Sequence, residues 1–183
     1  MVSFDPPLSK AHRNAIGAFR LEAATKVFLR FDQRRWDAEL AYMAHGGMLA
    51  RWWTPFHHQP DIPLLCSYIT ADRARSFDAL DDESARVRAL SEASVLLGVP
   101  DLADHCLAMR RIAWAADPYA CGGYAHIPPG AAAARTALAG SEGDRLHFAG
   151  EAAAFDSNPQ TVHGAFDSGR RAAALITGSA ADG

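Results

Sequence analysis

Apolar and polar positions alternate along TKVFLRF. Val27, Leu29 and Phe31 stand against Lys26, Phe28 and Arg30, and the β-branched and aromatic content predicts a strand over 25–31. A second apolar run of strand length, PLLCSYITA, predicts a strand over 63–71. Between them, 36–60 is rich in Trp, His, Gly and Pro and reads as short strands and turns. The period then lengthens. In DDESARVRALSEASVLLG (81–98), Val87, Leu90, Ala93 (or Ser94) and Leu97 form one face of a helix, acids crowd its first turn, and Gly98 ends it. Ser9 is the expected N-cap of an earlier short helix carrying Ala11, Ala15, Ile16 and Phe19. Downstream, 109–130 predicts a strand followed by Gly and Pro punctuation, 131–140 a short helix, and RLHFAG at 145–150 a strand. From Val162 onward, Ala165, Phe166, Gly169, Ala172, Ala173 and Ile176 fall at helical spacing until Gly178.

Composition narrows the class. The 183 residues are 49% hydrophobic and 21% charged, an ordinary soluble globular balance long enough for one core or two small lobes. A net charge of −3 argues against a nucleic-acid or anionic-membrane surface. No apolar run approaches the roughly 20 residues that span a bilayer. The start, MVSFDPPLSKAH, is unlike a signal peptide, so the expected location is the cytoplasm. Cys66, Cys106 and Cys121 share no metal-type spacing and read as buried free thiols. His57-His58 read as loop histidines, so no metal site is expected. Trp52-Trp53 reads as packing, and no G-x-S-x-G nucleophile motif is present. Of the 18 basic residues only Lys10 and Lys26 are lysine. A site that needs a compact ammonium cannot accept the planar guanidinium, which singles out Lys26 inside its apolar stretch.

The tail LHFAGEAAAFDSNPQTVHGAFDSGRRAAALITG (146–178) reads as strand, small-residue turn, polar loop and helix. Ala149 and Gly150 let a flat ligand approach the backbone, and the carboxylate of Glu151 suits a pair of sugar hydroxyls. Free amides at the start of the helix near Val162–Gly164 would face the same cleft and favour an anion or a ring that becomes anionic on reduction.

These residues carry a resemblance. Phe148-Ala149-Gly150-Glu151, Gly164-Ala165, Ser168-Gly169 and Ala172 match the FAGE…GA…SG…A pattern of the flavin-containing amine oxidases, a family that includes monoamine, polyamine and L-amino-acid oxidases and lysine-specific histone demethylases. WAADPYACGGYAHIPPG resembles the family's W…DP…GSY…PG segment, TKVFLRFDQRRW its KV…F…W strand, and FDPPLSKAHRNAI the segment before it. The four blocks occur in the family's order over 4–174.

The resemblance implies roles by position. Lys26 matches the lysine that holds a water against flavin N5. Glu151 matches the acid on the ribityl or ribose hydroxyls, and the Val162 amide the donor to the flavin N1–C2=O edge. Gly150, Thr161 and Ala165 fall in the same flavin-binding pattern. Trp114 and Tyr124 match aromatic positions lining flavin and substrate, Tyr124 as one wall of the amine-holding cage. Thr161 stands where monoamine oxidases place the second cage tyrosine, so TVHGA is closer to polyamine oxidases and histone demethylases. Gly122 occupies the position aligned with the cysteine that binds flavin covalently in some members, with Cys121 one residue away, so FAD is expected to be held non-covalently.

No G-x-G-x-x-G motif occurs among these residues: AHGGM, CGGY and AGSEG lack its spacing. The expected fold is therefore α+β. Residues 1–126 would form part of a substrate-binding domain with a mixed sheet and flanking helices. Residues 127–183 would form the returning strand and helix of a Rossmann-like FAD-binding domain whose N-terminal part is absent. The expected partner is a subunit carrying that N-terminal half, and the expected substrate a small amine, oxidised at its C–N bond with release of hydrogen peroxide. The alternative is a truncated, non-catalytic remnant or binding module of the same fold.

Overall fold

The computed structural model describes residues 2–56, 59 and 62–178; His57 and His58 lie outside the described residues. In chain order the elements are α1 (Lys10–Ala18), β1 (Arg20–Glu22), β2 (Ala24–Phe31), β3 (Tyr42–Ala44), β4 (Arg51–Trp53), β5 (Leu64–Thr70), α2 (Ala71–Asp78), α3 (Asp82–Leu97), β6 (Cys106–Ala113), β7 (Tyr124–His126), α4 (Ala133–Ala139) and α5 (Val162–Thr177). Short 3-10 turns cover Leu102–His105, Trp114–Ala116 and Glu151–Ala153. The chain divides into two compact units, Ala23–Gly123 and Met1–Glu22 with Tyr124–Gly183. These units do not coincide with the 1–126 and 127–183 division expected from sequence. The N-terminal 22 residues join the C-terminal segment because β1 pairs with β7 and α1 packs on α4.

In the unit Ala23–Gly123, five strands form one sheet in the order β3-β4-β5-β2-β6, and every pairing is antiparallel. The expected mixed sheet is thereby corrected. β5 and β6 run in the same direction, but β2 lies between them, so no parallel neighbours arise. The period of two in β2 works as predicted: Val27, Leu29 and Phe31 are buried in a core with Leu65 and Ile69 of β5 and Trp52 of β4. Helices α2 and α3 cover this face through Ala74, Phe77, Ala85, Ala89, Leu90 and Ala93. Each large side chain fully removed from water here contributes about 1.5–3 kcal/mol.

Helix α3 begins and ends where the sequence placed it. Asp81 caps it, accepting from the Ser84 N–H at 2.8 Å, and Gly98 closes it at φ 66° in the left-handed region. The predicted face holds at Leu90 and Ala93, which are buried, and at Leu97, which packs against the core, but not at Val87. Val87 is 58% exposed, and the buried stripe is Ala85, Ala89 and Ala93 with Leu90. Small side chains let the helix backbone lie close to the sheet, which a valine stripe would hold off. The Glu92 carboxylate accepts from the amides of Met48 and Leu49 at 3.2 and 2.9 Å, tying the loop before β4 to this helix.

In the other unit, Ser9 caps α1 as predicted, its hydroxyl accepting from the His12 N–H at 3.2 Å. Ala15, Leu138, Ala139 and Ala153 form a small core with Phe19 and Phe148 packed against it. RLHFAG is not a strand. Among the described residues its only sheet contact is the single bridge between Glu142 and Leu146, because an extended run becomes a strand only when a ladder partner lies beside it. Helix α5 runs from Val162 as expected, but its buried stripe is Gly164, Ser168 and Ala172, while Phe166 and Ile176 are each 67% exposed. Cys66 and Cys106 are buried, but Cys121 is exposed, against the expectation of three buried thiols.

At the ends of β2 and β6, the His105 Nδ1 lies 3.0 Å from Asp32 Oδ2 and its Nε2 3.4 Å from Asp101 Oδ2. The Asp32 bond raises the His105 pKa above its ordinary 6.5, against the opposing charge of Arg35, and the same bond lowers Asp32 below its ordinary 3.8. The raised histidine stabilises the fold fully below pH 6.5 and loses that contribution as pH rises through its folded value. The lowered aspartate contributes above pH 3.8 and loses it as pH falls. Denaturant titrations should therefore show His105→Gln most destabilised relative to the parent between about pH 4 and 6.5, with the gap closing at higher pH. A gap that widens above pH 7 would reverse the assignment.

Candidate functional site

The sheet of the unit Ala23–Gly123 has a second face, opposite its helices. Lys26 and Phe28 of β2 lie on it, each half-buried. The register sets Lys26 opposite Tyr68, and Trp53 and Phe28 opposite Cys66, which gathers these side chains on one face. Lys26 Nζ stands 5.5 Å from the Trp53 ring centroid and 5.9 Å from that of Tyr68. Burial pushes the Cys66 thiol up to about 12 while Lys26 opposes it, so the lysine's titratable neighbour is neutral. Trp114 is 40% exposed at the start of the 3-10 turn that packs on β2. The loop after that turn is held by Asp117, whose carboxylate accepts from the amides of Tyr119 and Ala120 at 2.8 Å each. Those two bonds hold its pKa below the usual carboxylate value.

The other unit gathers the remaining expected residues. Gly150 has φ 124°, and a Cβ built on it meets nothing within 4 Å, so its backbone faces open space. Fully buried Ser168 on α5 fixes it. The hydroxyl accepts from the Gly150 N–H at 2.8 Å and lies 3.0 Å from the Gly150 carbonyl. Glu151 follows, its Oε1 accepting from the Ala125 N–H of β7 at 2.7 Å. Its Oε2 is buried and has no hydrogen-bond partner among the described residues. Arg135 of α4 is buried and donates to the carbonyls of Glu151, Ala152 and Ala125 at 3.1, 3.0 and 3.4 Å. Gln160 adds a bond from Nε2 to the Ala125 carbonyl at 2.9 Å. Tyr124, half-buried beside Ala125 in β7, is carried by the same ribbon.

Thr161 caps α5. Its hydroxyl accepts from the Gly164 N–H at 3.1 Å and donates to the Asn158 carbonyl at 2.6 Å. The Ala165 N–H reaches the Thr161 carbonyl, while the N–H groups of Val162 and His163 begin the helix with no carbonyl four residues back inside it. The structure thus brings Tyr124, Gly150, Glu151, Thr161, Val162 and Ala165 into one unit and leaves Lys26 and Trp114 in the other. Arg135, Gln160 and Tyr68 were not singled out in the sequence, and Trp53 was read there as packing. Only the strand order β4-β5-β2 could have pointed to the two rings.

The fold is that of solved putrescine oxidase structures. One, bound to putrescine, superposes with a TM-score of 0.84 at 21% identity over 97% of this chain and 40% of that one. The sequence family described as flavin containing amine oxidoreductase matches residues 1–177, and the chain belongs to it. Similar curated proteins include the L-amino-acid oxidase of Mus musculus, 31% identical over 96% of this chain and 28% of its own length. Histone demethylase-like protein A of Aspergillus fumigatus is 27% identical, over 96% of this chain and 18% of its own. An L-amino-acid oxidase of Bungarus fasciatus is 26% identical, over 91% and 32%. The chain thus spans between about a fifth and a third of the length of these relatives.

Family membership implies a flavin, and the residues present fit one. A buried, unpartnered carboxylate oxygen on Glu151 calls for a hydroxyl donor, since leaving it unmet costs about 1–3 kcal/mol or more. The open backbone at Gly150 lies one residue away. Among the described residues no helix is long and apolar enough to cross a membrane.

Gly164 has no such room. A Cβ there would overlap the Asn158 carbonyl oxygen and lie 2.9 Å from the Ala154 Cβ. Gly164→Ala should lower stability by about 3 kcal/mol, the upper range for overpacking against atoms that cannot yield. Gly150→Ala meets open space and only backbone strain of about 1–3 kcal/mol. Urea melts of the two variants should rank Gly164→Ala as the more damaging, and the opposite order would count against this packing.

Proposed function

We propose that the chain is the C-terminal part of an FAD-dependent amine oxidase that binds flavin non-covalently and oxidises the C–N bond of a small amine. The observation that carries this reading is the pairing of a buried, unpartnered Glu151 oxygen with the open Gly150 backbone, inside a chain that matches the family over residues 1–177. FAD, when bound, supplies the hydride acceptor for the amine and the site at which oxygen is reduced to hydrogen peroxide.

The chain's residues divide the remaining tasks. Glu151 takes a flavin hydroxyl on Oε2 while Ala125 holds its other oxygen. Ser168 keeps the Gly150 peptide in place so that the ring or sugar can approach the backbone. The Val162 amide, at the positive end of α5, donates to the flavin edge that becomes anionic. Thr161 acts through its cap, orienting that amide, since both hydrogen-bonding directions of its hydroxyl are used inside the chain. Tyr124 would offer the amine an aromatic face, which suits a cationic or neutral amine. Lys26 would supply a compact ammonium suited to holding a water against the flavin. A dinucleotide-binding portion supplies the pyrophosphate cradle. The chain's 40% share of the putrescine oxidase length and the lack of a G-x-G-x-x-G motif among its residues support that partner. The likeness to putrescine oxidase and L-amino-acid oxidases leaves the amine as the variable to test. Reconstitution with a dinucleotide-binding portion, followed by visible spectra during additions of diamines, polyamines and L-amino acids, decides it. Bleaching of the flavin and peroxide release by one class is expected, and a flavin that none of them reduces would favour the non-catalytic remnant.

The chain by itself, with only part of the ring and sugar contacts, should retain FAD poorly. Dialysis with FAD and an absorbance spectrum checks this, and a stoichiometric yellow complex would show that the phosphates are cradled within these residues.

In the reconstituted protein, Lys26→Met should slow flavin reduction or reoxidation about a hundredfold, near 3 kcal/mol, with a much smaller loss of flavin affinity. Stopped-flow absorbance measures both rates. If each stays within about twofold of the parent, Lys26 is a solvated lysine at the sheet face.

A further inference from the structure

We propose that Trp53 and Tyr68 are positioning residues that hold the Lys26 ammonium between two aromatic faces and aim its N–H donors out of the sheet, an inference that rests on the reading of Lys26 given above. The strand register builds the arrangement. Tyr68 lies directly opposite Lys26 across the β2–β5 ladder, and Trp53 reaches the same face from β4, one strand further on. The ammonium sits 5.5 and 5.9 Å from the two ring centroids, inside the range where a ring quadrupole attracts a cation.

Among the described residues the two rings are the groups found against this charge. Lys26 is half-buried, and its Nζ, with no hydrogen bond or ion pair among the described residues, is not sealed from water. Its neighbour on the β6 side is apolar Ile112. Cys66 on the same face is a neutral thiol with its pKa pushed up to about 12, and supplies no counter-charge. Tyr68 and Trp53 supply the attraction that the described structure offers this ammonium. They attract the cation through ring faces and accept none of its hydrogens, so all three N–H groups remain available to an outside acceptor. A carboxylate in their place would fix those donors within the chain. A guanidinium would lie flat on one ring with its donors in that plane, whereas an ammonium fits between two. The acceptor this geometry suits is a water or the electron-rich edge of a heteroaromatic ring.

Two lysines make the contact directly readable. Selective 13Cε-lysine labelling of the full chain gives one signal from Lys10, exposed on α1, and one from Lys26. The Lys26 Hε protons should be displaced upfield by the ring currents. Trp53→Leu and Tyr68→Leu should each move that signal toward the Lys10 position, whereas Trp53→Phe and Tyr68→Phe, which keep a ring, should retain most of the displacement. In the reconstituted flavoprotein, Trp53→Leu should slow reoxidation about tenfold, with Trp53→Phe recovering most of the loss and flavin affinity changing less than the rate. Should Trp53→Leu fail to fold, Tyr68→Leu, at a half-buried position, carries the same comparison. A parent Lys26 signal that coincides with Lys10 overturns the contact. A displaced signal with unchanged reoxidation in both leucine variants, in a protein where Lys26→Met is slow, overturns the positioning role. If Lys26→Met itself leaves the flavin kinetics unchanged, the reading of Lys26 fails and the role of the rings with it, while the lysine spectrum still decides the contact.

Discussion

Everything in the unit Ala23–Gly123 depends on β2 being paired on both edges. A strand with β5 on one side and β6 on the other cannot slip, because a shift of one residue would turn Val27, Leu29 and Phe31 out of the core. The same lock decides where Lys26 goes. It occupies the even register, so burying its odd-numbered neighbours under α2 and α3 necessarily presents the ammonium on the opposite face. Core stability and placement of the ammonium are thus one constraint: the hydrophobic free energy of one face is what orients the side chains of the other.

In the unit Met1–Glu22 with Tyr124–Gly183 the corresponding pivot is a single peptide. Ala125 gives its N–H to the Glu151 carboxylate and its carbonyl to Arg135 and Gln160. In place of a third strand, side chains from three segments close the outer edge of the β1–β7 ribbon. This arrangement ties the turn after Gly150 to the strand that carries Tyr124. Arg135 contributes a buried cation whose acceptors are backbone carbonyls, with its guanidinium also 5.5 Å from the Phe19 ring. Such a site tolerates a cation because three carbonyl dipoles surround it.

What was legible in the sequence was local. Alternation placed β2 and β5, a capping hydroxyl at Ser9 placed α1, and acids with Gly98 bounded α3, since each signal acts within a few residues. The failures all involve distant partners. RLHFAG has strand composition but no ladder beside it among the described residues. On α3 the expected Leu90 and Ala93 are buried, but Val87 is not, and close approach to the sheet completes the stripe with Ala85 and Ala89. On α5 the apolar Phe166 and Ile176 outrank Gly164, Ser168 and Ala172 on any hydrophobicity scale, yet the small stripe is the buried one, and Gly164 is there because Asn158 leaves no space. The site divides the same way. Lys26 stood out from the scarcity of lysine and Glu151 from its motif. Trp53, Tyr68 and Arg135 required the register and the tertiary contacts, which no linear pattern carries.

The three thiols differ in a way that makes the chain its own stopwatch. Cys121 is solvent-exposed, while Cys66 is fully buried with a thiol pushed up to about 12. Thiolate is the reactive form, so an alkylating reagent modifies the first in the folded chain and reaches the second only when the sheet opens. Because Cys66 lies opposite both Phe28 and Trp53, its modification clock counts openings of the strands that hold the Lys26 face. The rate of sulfur capture is therefore a direct gauge of how often that face ceases to exist, readable without any cofactor or substrate.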